Sequence, residues 1–345
     1  MSRRAVTLLI AGIGFLACLV VVFAVPVPYV ALLPGPTYNT LGPLHGKPVI
    51  QIKGQRTFPA SGHLNMVTVS YIGGPGSNPP FNIVAAIQAW LSPHDAVVPQ
   101  QELFPTGKTR QQVVKQDTLQ MVDSQQTAEA AALCQVGIKF TTTDTVASTI
   151  AGMPAAGRLH RGDVITAVDG KPVTCRSSAA SMITARPVGH LVVLTVRRGQ
   201  SDHNISLRTA SYRGQPVIGV HVRESFKFPF QVKINIGNVG GPSAGLMFAL
   251  AIIDKLTPAN LTGGTFVAGT GEITVNGAVG PIGGIQQKMA AARAAGATVF
   301  LAPAGNCSDT AGAVPAGLRV VKVSTLRGAF AALNALKAGK PVPAC

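Results

Sequence analysis

Charged and aromatic residues are scarce in this sequence, and acidic residues are scarcer than basic ones. Charged residues make up 12% of the 345-residue chain and aromatic residues 5%; the 13 Asp and Glu face 29 Lys and Arg, which gives a net charge of +16. The basic residues are scattered, with no basic helix and no aromatic platform, so we expect no nucleic-acid binding. The charge fits contact with an anionic surface such as lipid head groups or a cell-wall polymer. With 38 glycines and 25 prolines, the composition predicts a compact, turn-rich chain of two or three domains.

Metal-binding and nucleotide-binding motifs are missing as well. The sequence has no Cys-x-x-Cys pair, and its seven histidines do not form a His-x-x-x-His spacing, so a zinc site is not expected. The Gly-Lys-Thr at residues 107–109 would need a glycine at position 102 to form a P-loop, and Glu102 stands there. We therefore predict no metal and no cofactor, and chemistry that runs without ATP.

The N-terminus carries one long apolar run. Arg3 and Arg4 precede residues 5–25, which are uncharged and mostly apolar and reach the roughly 20 residues that a membrane-spanning helix needs. The run is long for a signal-peptide core and no clear cleavage site follows it, so an uncleaved anchor is favoured over a cleaved signal. The positive flank predicts a single-pass protein of the cell membrane, with a cytoplasmic N-terminus and an extracytoplasmic body.

Five cysteines are present, and Cys18 lies within the apolar run. The other four, Cys134, Cys175, Cys307 and Cys345, are an even number, which permits two disulfides in an oxidising compartment. Of the three possible pairings we favour Cys134–Cys175 and Cys307–Cys345, because each pair then falls within one predicted domain. Four free buried thiols are the alternative.

Regular secondary structure is predicted in the segment after the apolar run. "IQIKG" and "HLNMVTVS" alternate like β-strands. "NPPFNIVAAIQAWL" reads as a helix that begins after its prolines, and residues 111–133 have the apolar spacing of a helix or a helix pair.

The middle of the chain contains "GMPAAGRLHRGDVITAVDGKPV" at residues 152–173, followed by two strand-like segments. Its Gly-Asp-x-Ile-x-x-Val-Asp-Gly pattern consists of Gly162, Asp163, Ile165, Val168, Asp169 and Gly170. This region, residues 124–208, resembles a bacterial PDZ domain, which would bind an extended peptide along an open sheet edge. The resemblance implies a carboxylate-binding loop, for which residues 133–140 are the nearest match. A domain used only as a spacer or clamp is the alternative.

The stretch "NVGGPSAGLMFALAIIDKL" places Ser243 directly in front of an apolar helical run. A serine there can simply cap the helix, or it can act as a nucleophile on a tight turn with backbone N–H groups nearby. Lys288 stands in an alanine-rich helix. It is either a solvated surface lysine or a desolvated general base of lowered pKa.

Two motifs favour the catalytic interpretation: "GPSAG" at residues 241–245 and "GTGEITVNGAVGPIGGIQQK" at residues 269–288. Together they resemble the proteolytic domain of Lon-type serine peptidases. The resemblance implies that Ser243 is the nucleophile, that Lys288 is its base and that Thr270 helps to orient the lysine amine. Backbone N–H groups from Gly241 to Ala244 would stabilise the oxyanion. The chain departs from that family in having no ATPase module and in having "NVGG" where an acidic residue often precedes the serine.

The sequence thus predicts a multidomain α+β protein with an N-terminal transmembrane helix, a β-rich PDZ domain and a Lon-type α/β proteolytic domain. The expected segments are an anchor at 1–30, associated strands and helices at 31–123, the PDZ domain at 124–208 and the proteolytic domain at 209–345. The predicted function is ATP-independent cleavage of unfolded or exported polypeptides. The family implies a homo-oligomer, with a hexamer as the expected ring. One alternative is a membrane-tethered peptide-binding scaffold with an inactive Lon-like domain, and another is a lipid- or wall-binding structural protein.

Overall fold

A computed structural model describes residues 3–258 and 260–345, apart from the side chain of Cys18. Met1 and Ser2, the first residues of the predicted anchor, lie outside this range. The helices are α1 (Arg3–Ala24), α2 (Ile83–Leu91), α3 (Gln100–Leu103), α4 (Arg110–Val136), α5 (Ala179–Thr184), α6 (Gly245–Leu256), α7 (Ile285–Ala294), α8 (Cys307–Thr310) and α9 (Leu326–Lys337). The strands are β1 (Tyr29–Asn39), β2 (Pro43–Leu44), β3 (Lys47–Pro48), β4 (Ile50–Lys53), β5 (His63–Gly73), β6 (Ala96–Pro99), β7 (Thr141–Thr149), β8 (Val164–Val168), β9 (Lys171–Pro172), β10 (Leu191–Arg198), β11 (Ser201–Arg208), β12 (Ala210–Tyr212), β13 (Gln215–Val217), β14 (Val220–Lys227), β15 (Gln231–Ile234), β16 (Phe266–Gly269), β17 (Glu272–Ile273), β18 (Val279–Gly280), β19 (Val299–Pro303) and β20 (Arg319–Val323).

Helix α1 is exposed along nearly its whole length. It is the one helix in the described residues that is long and apolar enough to cross a membrane, with a mean hydropathy of 2.8 over its most apolar window. Length and composition alone carry this assignment, and a signal sequence near an N-terminus meets the same test.

A six-stranded mixed sheet forms the centre of the largest domain. Its strand order is β20-β19-β16-β5-β1-β6, with β5 parallel to β16 and antiparallel to β1. Three of these strands precede residue 100 and three follow residue 265. The segment 31–123, expected to be associated with the proteolytic domain, therefore supplies half of this sheet.

Helices α4 and α6 pack together over one face of the sheet. A capping box formed by Thr109 and Gln112 starts α4, and Gly137, in the left-handed conformation, ends it. Its second half is buried through small side chains such as Ala128 and Ala132, which allow a close approach to α6, apolar from Gly245 to Ile253. Residues 111–133 thus form one helix, not a pair, and the expected boundary at 123/124 falls inside it.

The second domain has its own sheet, in the order β11-β10-β8-β7-β14, and its own apolar core. Strands β7 and β14 pair along their whole length, from Thr141 opposite Lys227 to Thr149 opposite Val220. The domain therefore extends beyond residue 208, and its sheet begins at 141. It is inserted between α4 and β15, with the ends of the insertion side by side.

Among the described side chains, two disulfides are formed, Cys134–Cys175 and Cys307–Cys345. The first joins the last turns of α4 to the segment before α5, and the second joins α8 to the C-terminal residue. The favoured pairing is therefore confirmed.

Candidate active site

Ser243 lies in the turn that leads into α6, but it does not cap the helix. The N-cap residue is Ala244, and no side chain bonds to the first turn of α6. The capping explanation for Ser243 therefore fails, and its half-buried hydroxyl is left to another partner.

Helix α4 holds the loop in front of this serine. The N–H of Gly241 donates to the carbonyl of Asp117 at 2.9 Å, and the Ser124 hydroxyl donates to the carbonyl of Pro242 at 2.9 Å. Gly240 lies so close to the helix that an added Cβ would stand 2.7 Å from Cβ of Asp117. These contacts join residues more than a hundred positions apart, and neither Asp117 nor Ser124 carries a sequence signal for this role.

Lys288 reaches the serine from the first turn of α7. That helix begins after Gly284, whose φ of 67° is left-handed. The lysine residue is only 4% exposed, and its Nζ donates to Oγ of Ser243 at 3.0 Å. Burial lowers the pKa of Lys288 to about 8, although the negative charge of nearby Glu272 acts in the opposite direction. About a tenth of this amine is therefore neutral at pH 7, and the neutral fraction rises steeply as the pH approaches 8.

Thr270 links the serine and the lysine. It follows β16, is buried, and donates its hydroxyl hydrogen to the carbonyl of Ser243 at 2.9 Å. The same oxygen accepts a hydrogen bond from Lys288 Nζ at 3.3 Å. Since the N–H of Gly271 also donates to the Ser243 carbonyl, at 2.8 Å, the end of β16 fixes the serine backbone from one side.

The backbone donors near Ser243 differ in their availability. Gly241, one of the expected oxyanion donors, already gives its N–H to Asp117. The N–H groups of Ser243 and Ala244 donate no hydrogen bond within the described residues. Since they stand at the start of α6, where the helix dipole is positive, they are the two donors available to a developing negative charge.

A cleft of about 720 Å³ opens at Ser243 and Lys288. One wall is β5: its pairing with β16 ends at Met66, and residues 67–71, which continue beside β1, line the cleft. Val113, Asp117 and Met121 of α4 also line the cleft. A length of strand edge beside a nucleophile is suited to an extended peptide.

The second domain has a separate groove of about 860 Å³, lined by α5, the edge strand β14 and part of α4. Residues 133–140, expected as a carboxylate-binding loop, do not line it. Leu133 is buried in the main core, Gly137 ends α4, and residues 138–140 lead directly into β7, so the expected position of this loop does not agree with the groove.

Comparison with known protein families finds one match in each of the two domains. The family model of the Lon protease (S16) C-terminal proteolytic domain matches residues 227–331, and that of the PDZ domain matches residues 134–209. The Lon protease of Roseiflexus castenholzii is 46% identical over 69 residues, which cover 20% of this chain and 8% of that protein. Lon protease 1 of Bacillus subtilis is 32% identical over 122 residues, covering 34% of this chain and 16% of that protein.

Among solved structures, the PDZ domain of an SdrC-like protein from Listeria innocua is 32% identical, covering 23% of this chain and 92% of that one, with a TM-score of 0.22. The chain covers only a small part of the length of the two Lon proteases. Regions that match the Lon protease proteolytic domain and the PDZ domain are thus present in this chain.

Proposed function

We propose that this protein is an ATP-independent serine endopeptidase that cleaves unfolded or exported polypeptides through a Ser243–Lys288 dyad. The observation that carries the proposal is the 3.0 Å contact between a buried lysine amine and the hydroxyl of a serine that caps nothing. The ATP-independence rests on the sequence, which contains no nucleotide-binding motif. Ser243 and Lys288 are the catalytic residues, Thr270 positions the amine, and Ala244 supplies an oxyanion donor beside that of Ser243.

The reaction begins when neutral Lys288 accepts the proton of the Ser243 hydroxyl and Oγ attacks the peptide carbonyl carbon. The N–H groups of Ser243 and Ala244 stabilise the negative oxygen of the tetrahedral intermediate. Protonated Lys288 gives its proton to the leaving amine, and the acyl-enzyme remains. Lys288 then takes a proton from water, whose oxygen attacks the ester, and returns it to Ser243 as the carboxylic acid product leaves.

Both candidate peptide sites favour extended segments. In the catalytic cleft, residues 67–71 of β5 offer backbone groups beside the dyad. In the PDZ domain, β14 is an edge strand that faces the groove. We propose that the PDZ domain binds one segment of a polypeptide while another segment reaches Ser243, which requires a substrate that is already unfolded.

We further propose that α1 is an uncleaved anchor, with the N-terminus in the cytoplasm and the body outside the cell membrane. Arg3 and Arg4 on the cytoplasmic side and the apolar run support this orientation. Two disulfides in the body fit an oxidising compartment. Assembly into a homo-oligomer, with six subunits as the expected number, rests on the resemblance to Lon-type domains.

The test is hydrolysis of casein by the full chain in detergent, without ATP, beside Ser243→Ala and Lys288→Met. We expect no cleavage by either variant and normal cleavage by the control Lys322→Met, which removes an exposed lysine of β20. Activity in Ser243→Ala would remove this serine from the mechanism.

The rival function is a peptide-binding scaffold with an inactive Lon-like domain. Labelling with a fluorophosphonate probe separates the two, because the probe reacts with activated serines. Labelling of the parent and not of Ser243→Ala supports the peptidase. Failure to label the parent, together with failure to cleave casein, favours the scaffold.

A further inference from the structure

Helix α2 carries an exposed apolar face that no other part of the described chain covers. Ile83, Ile87, Trp90 and Leu91 lie on one side of the helix and are 44%, 50%, 75% and 72% exposed. Their spacing of four, three and one residues keeps them on adjacent turns of one face. The helix contains no charged residue.

The usual arrangement of an amphipathic helix is reversed in α2. Its inward side consists of Ala85, Ala86 and Ala89, which pack with Phe81 against residues of β1 and β6. Small side chains thus face the protein, whereas the large apolar side chains face outward. A soluble helix on a sheet is expected to bury its large apolar side chains, so this face fits a second apolar environment.

The position of α2 indicates which environment that is. The side chain of Asn82, its N-cap residue, donates to the carbonyl of Phe23 in the last turn of α1 at 2.9 Å. The N–H of Val27 donates to the carbonyl of Phe81 at 2.8 Å. The chain that leaves α1 is therefore bonded directly to the start of α2, and the apolar face begins where the apolar helix α1 ends.

We infer that the outward face of α2 lies in lipid at the extracytoplasmic surface of the cell membrane, beside the point where α1 leaves the bilayer. This inference rests on the proposed anchoring by α1. Tryptophan is enriched at that level of a membrane because its ring is largely apolar and its N–H is polar. Two attachments, one spanning and one interfacial, hold the body against the membrane surface.

A second copy of the chain is a less suitable occupant than lipid. A helix of nine residues is about 14 Å long at about 1.5 Å per residue. Four side chains on such a helix offer much less than the roughly 800 Å² per partner of a stable protein–protein interface. Apart from the N–H of Trp90, the face also lacks the charged and hydrogen-bonding groups that would set the register between two proteins.

Trp90 is the single tryptophan of the sequence, so the emission of the unmodified chain reports on this face. The full chain is reconstituted into phosphatidylcholine–phosphatidylglycerol vesicles, with and without brominated acyl chains, and flotation with the vesicles is measured on the same sample. We expect flotation, emission at a shorter wavelength than that of the urea-unfolded chain, strong quenching by the brominated lipid and weak quenching by aqueous acrylamide.

Two matched variants test the face itself. Ile87→Asn places an amide in the centre of the face and should reduce quenching by brominated lipid. Val114→Asn changes a similarly exposed residue, 47% against 50%, on α4 and should leave the quenching unchanged. If Ile87→Asn does not fold, the quenching of the parent decides the matter alone.

Three results would overturn the inference. A chain that floats, but whose Trp90 is quenched by acrylamide and not by brominated lipid, keeps its anchor and has α2 in water. Protection from both quenchers would indicate a protein contact such as a second copy. Absence of flotation would remove the anchor and, with it, the lipid beside α2. Casein hydrolysis on the same sample shows whether the proposed dyad stands independently of these outcomes.

Discussion

At the level of single residues, the chemistry depends on the burial of Lys288. An amine that is almost fully removed from water loses part of the hydration that stabilises its charge, and its pKa of about 8 reflects this loss. Lys288 must be neutral to accept the proton of Ser243, so the rate should rise with pH. We expect kcat/KM for a casein-derived peptide to increase with a midpoint near pH 8. A profile that is flat from pH 6 to pH 9 would contradict this role.

The same burial makes Lys288 costly for folding. Its pKa in the folded chain is below the unfolded value of 10.5, so between pH 8 and 10.5 the unfolded chain binds more protons and stability rises with pH. Below pH 8 both states are protonated and the folded chain carries the full cost. At about 1.4 kcal/mol per pKa unit, Lys288→Met should be inactive yet up to about 3 kcal/mol more stable at pH 7.

Urea unfolding at pH 7 and at pH 10 measures this effect. The stability advantage of Lys288→Met should shrink at the higher pH, because the parent lysine is then neutral in the folded state. Removing its proton costs little free energy at a pH close to the unfolded pKa of 10.5. A variant that is less stable than the parent at both pH values would show that the contacts of Lys288 stabilise the fold by more than its burial costs.

Thr270 tests orientation separately from proton transfer. Thr270→Val keeps the shape but removes the hydroxyl that bonds to both Ser243 and Lys288. The loss of about 1 kcal/mol for one hydrogen bond corresponds to about a fivefold lower kcat, with KM nearly unchanged. Thr270→Ser retains the hydroxyl and should restore most of the rate. Equal loss in both variants would point to packing by the methyl group.

The resemblance of two short motifs to those of Lon-type peptidases predicts Ser243, Lys288 and Thr270. Each of them lies at the start of a helix or the end of a strand, and the structure brings the three together. The expected donor Gly241 is different: its N–H is bonded to Asp117. That bond crosses from a distant helix, and local sequence holds no information about which distant carbonyl a loop N–H will meet.

At the level of secondary-structure elements, α4 acts as the support of the nucleophile loop. Ser124→Ala would leave the Pro242 carbonyl without its partner in a nearly buried site. We expect a loss of about 1–3 kcal/mol in stability and a lower kcat, measured by urea unfolding and peptide hydrolysis. Thr118→Ala is the matched control, because its hydroxyl bonds only to Val114 within the same helix and is exposed. Equal effects of the two changes would remove the special role of Ser124.

Local pattern predicts several elements well and their arrangement poorly. The apolar run after residue 245 and the alanine-rich run after Gly284 form α6 and α7 as expected, and the strand "HLNMVTVS" forms most of β5. The position of β5 between β16 and β1 was not predictable, since β16 lies about 200 residues further along the chain. Alternation identifies a strand, but long-range pairing is decided by the packing of the whole sheet.

At the level of the whole molecule, the PDZ domain interrupts the chain of the main domain without interrupting its fold. Helix α4 and strands β1 and β5 precede the insertion, whereas α6, α7 and β16 follow it. Its groove is lined partly by α4, and α4 also holds the loop of Ser243. One helix therefore lines both candidate peptide sites.

This arrangement predicts that the PDZ domain can be removed. Thr142 and Phe226 are opposite each other in the β7–β14 ladder, so about 5 Å separates their backbones and a short glycine-serine turn can replace residues 142–226. Cys134→Ser removes the thiol that loses its partner. Since domains inserted between neighbouring ends can fold on their own, we expect a folded protein that still cleaves casein without ATP.

The measurement compares the shortened and full chains by circular dichroism and by cleavage of two unfolded substrates. One substrate carries a segment that binds the groove of the PDZ domain, and the other lacks it. The shortened chain should cleave both at similar rates, because the advantage of the first substrate comes from its second attachment point and the raised local concentration at Ser243. A shortened chain that folds but cleaves neither substrate would show that contacts from the PDZ domain to α4 are needed to hold the nucleophile loop. Retained preference for the first substrate would instead place the recognition of that segment in the catalytic cleft, along residues 67–71 of β5.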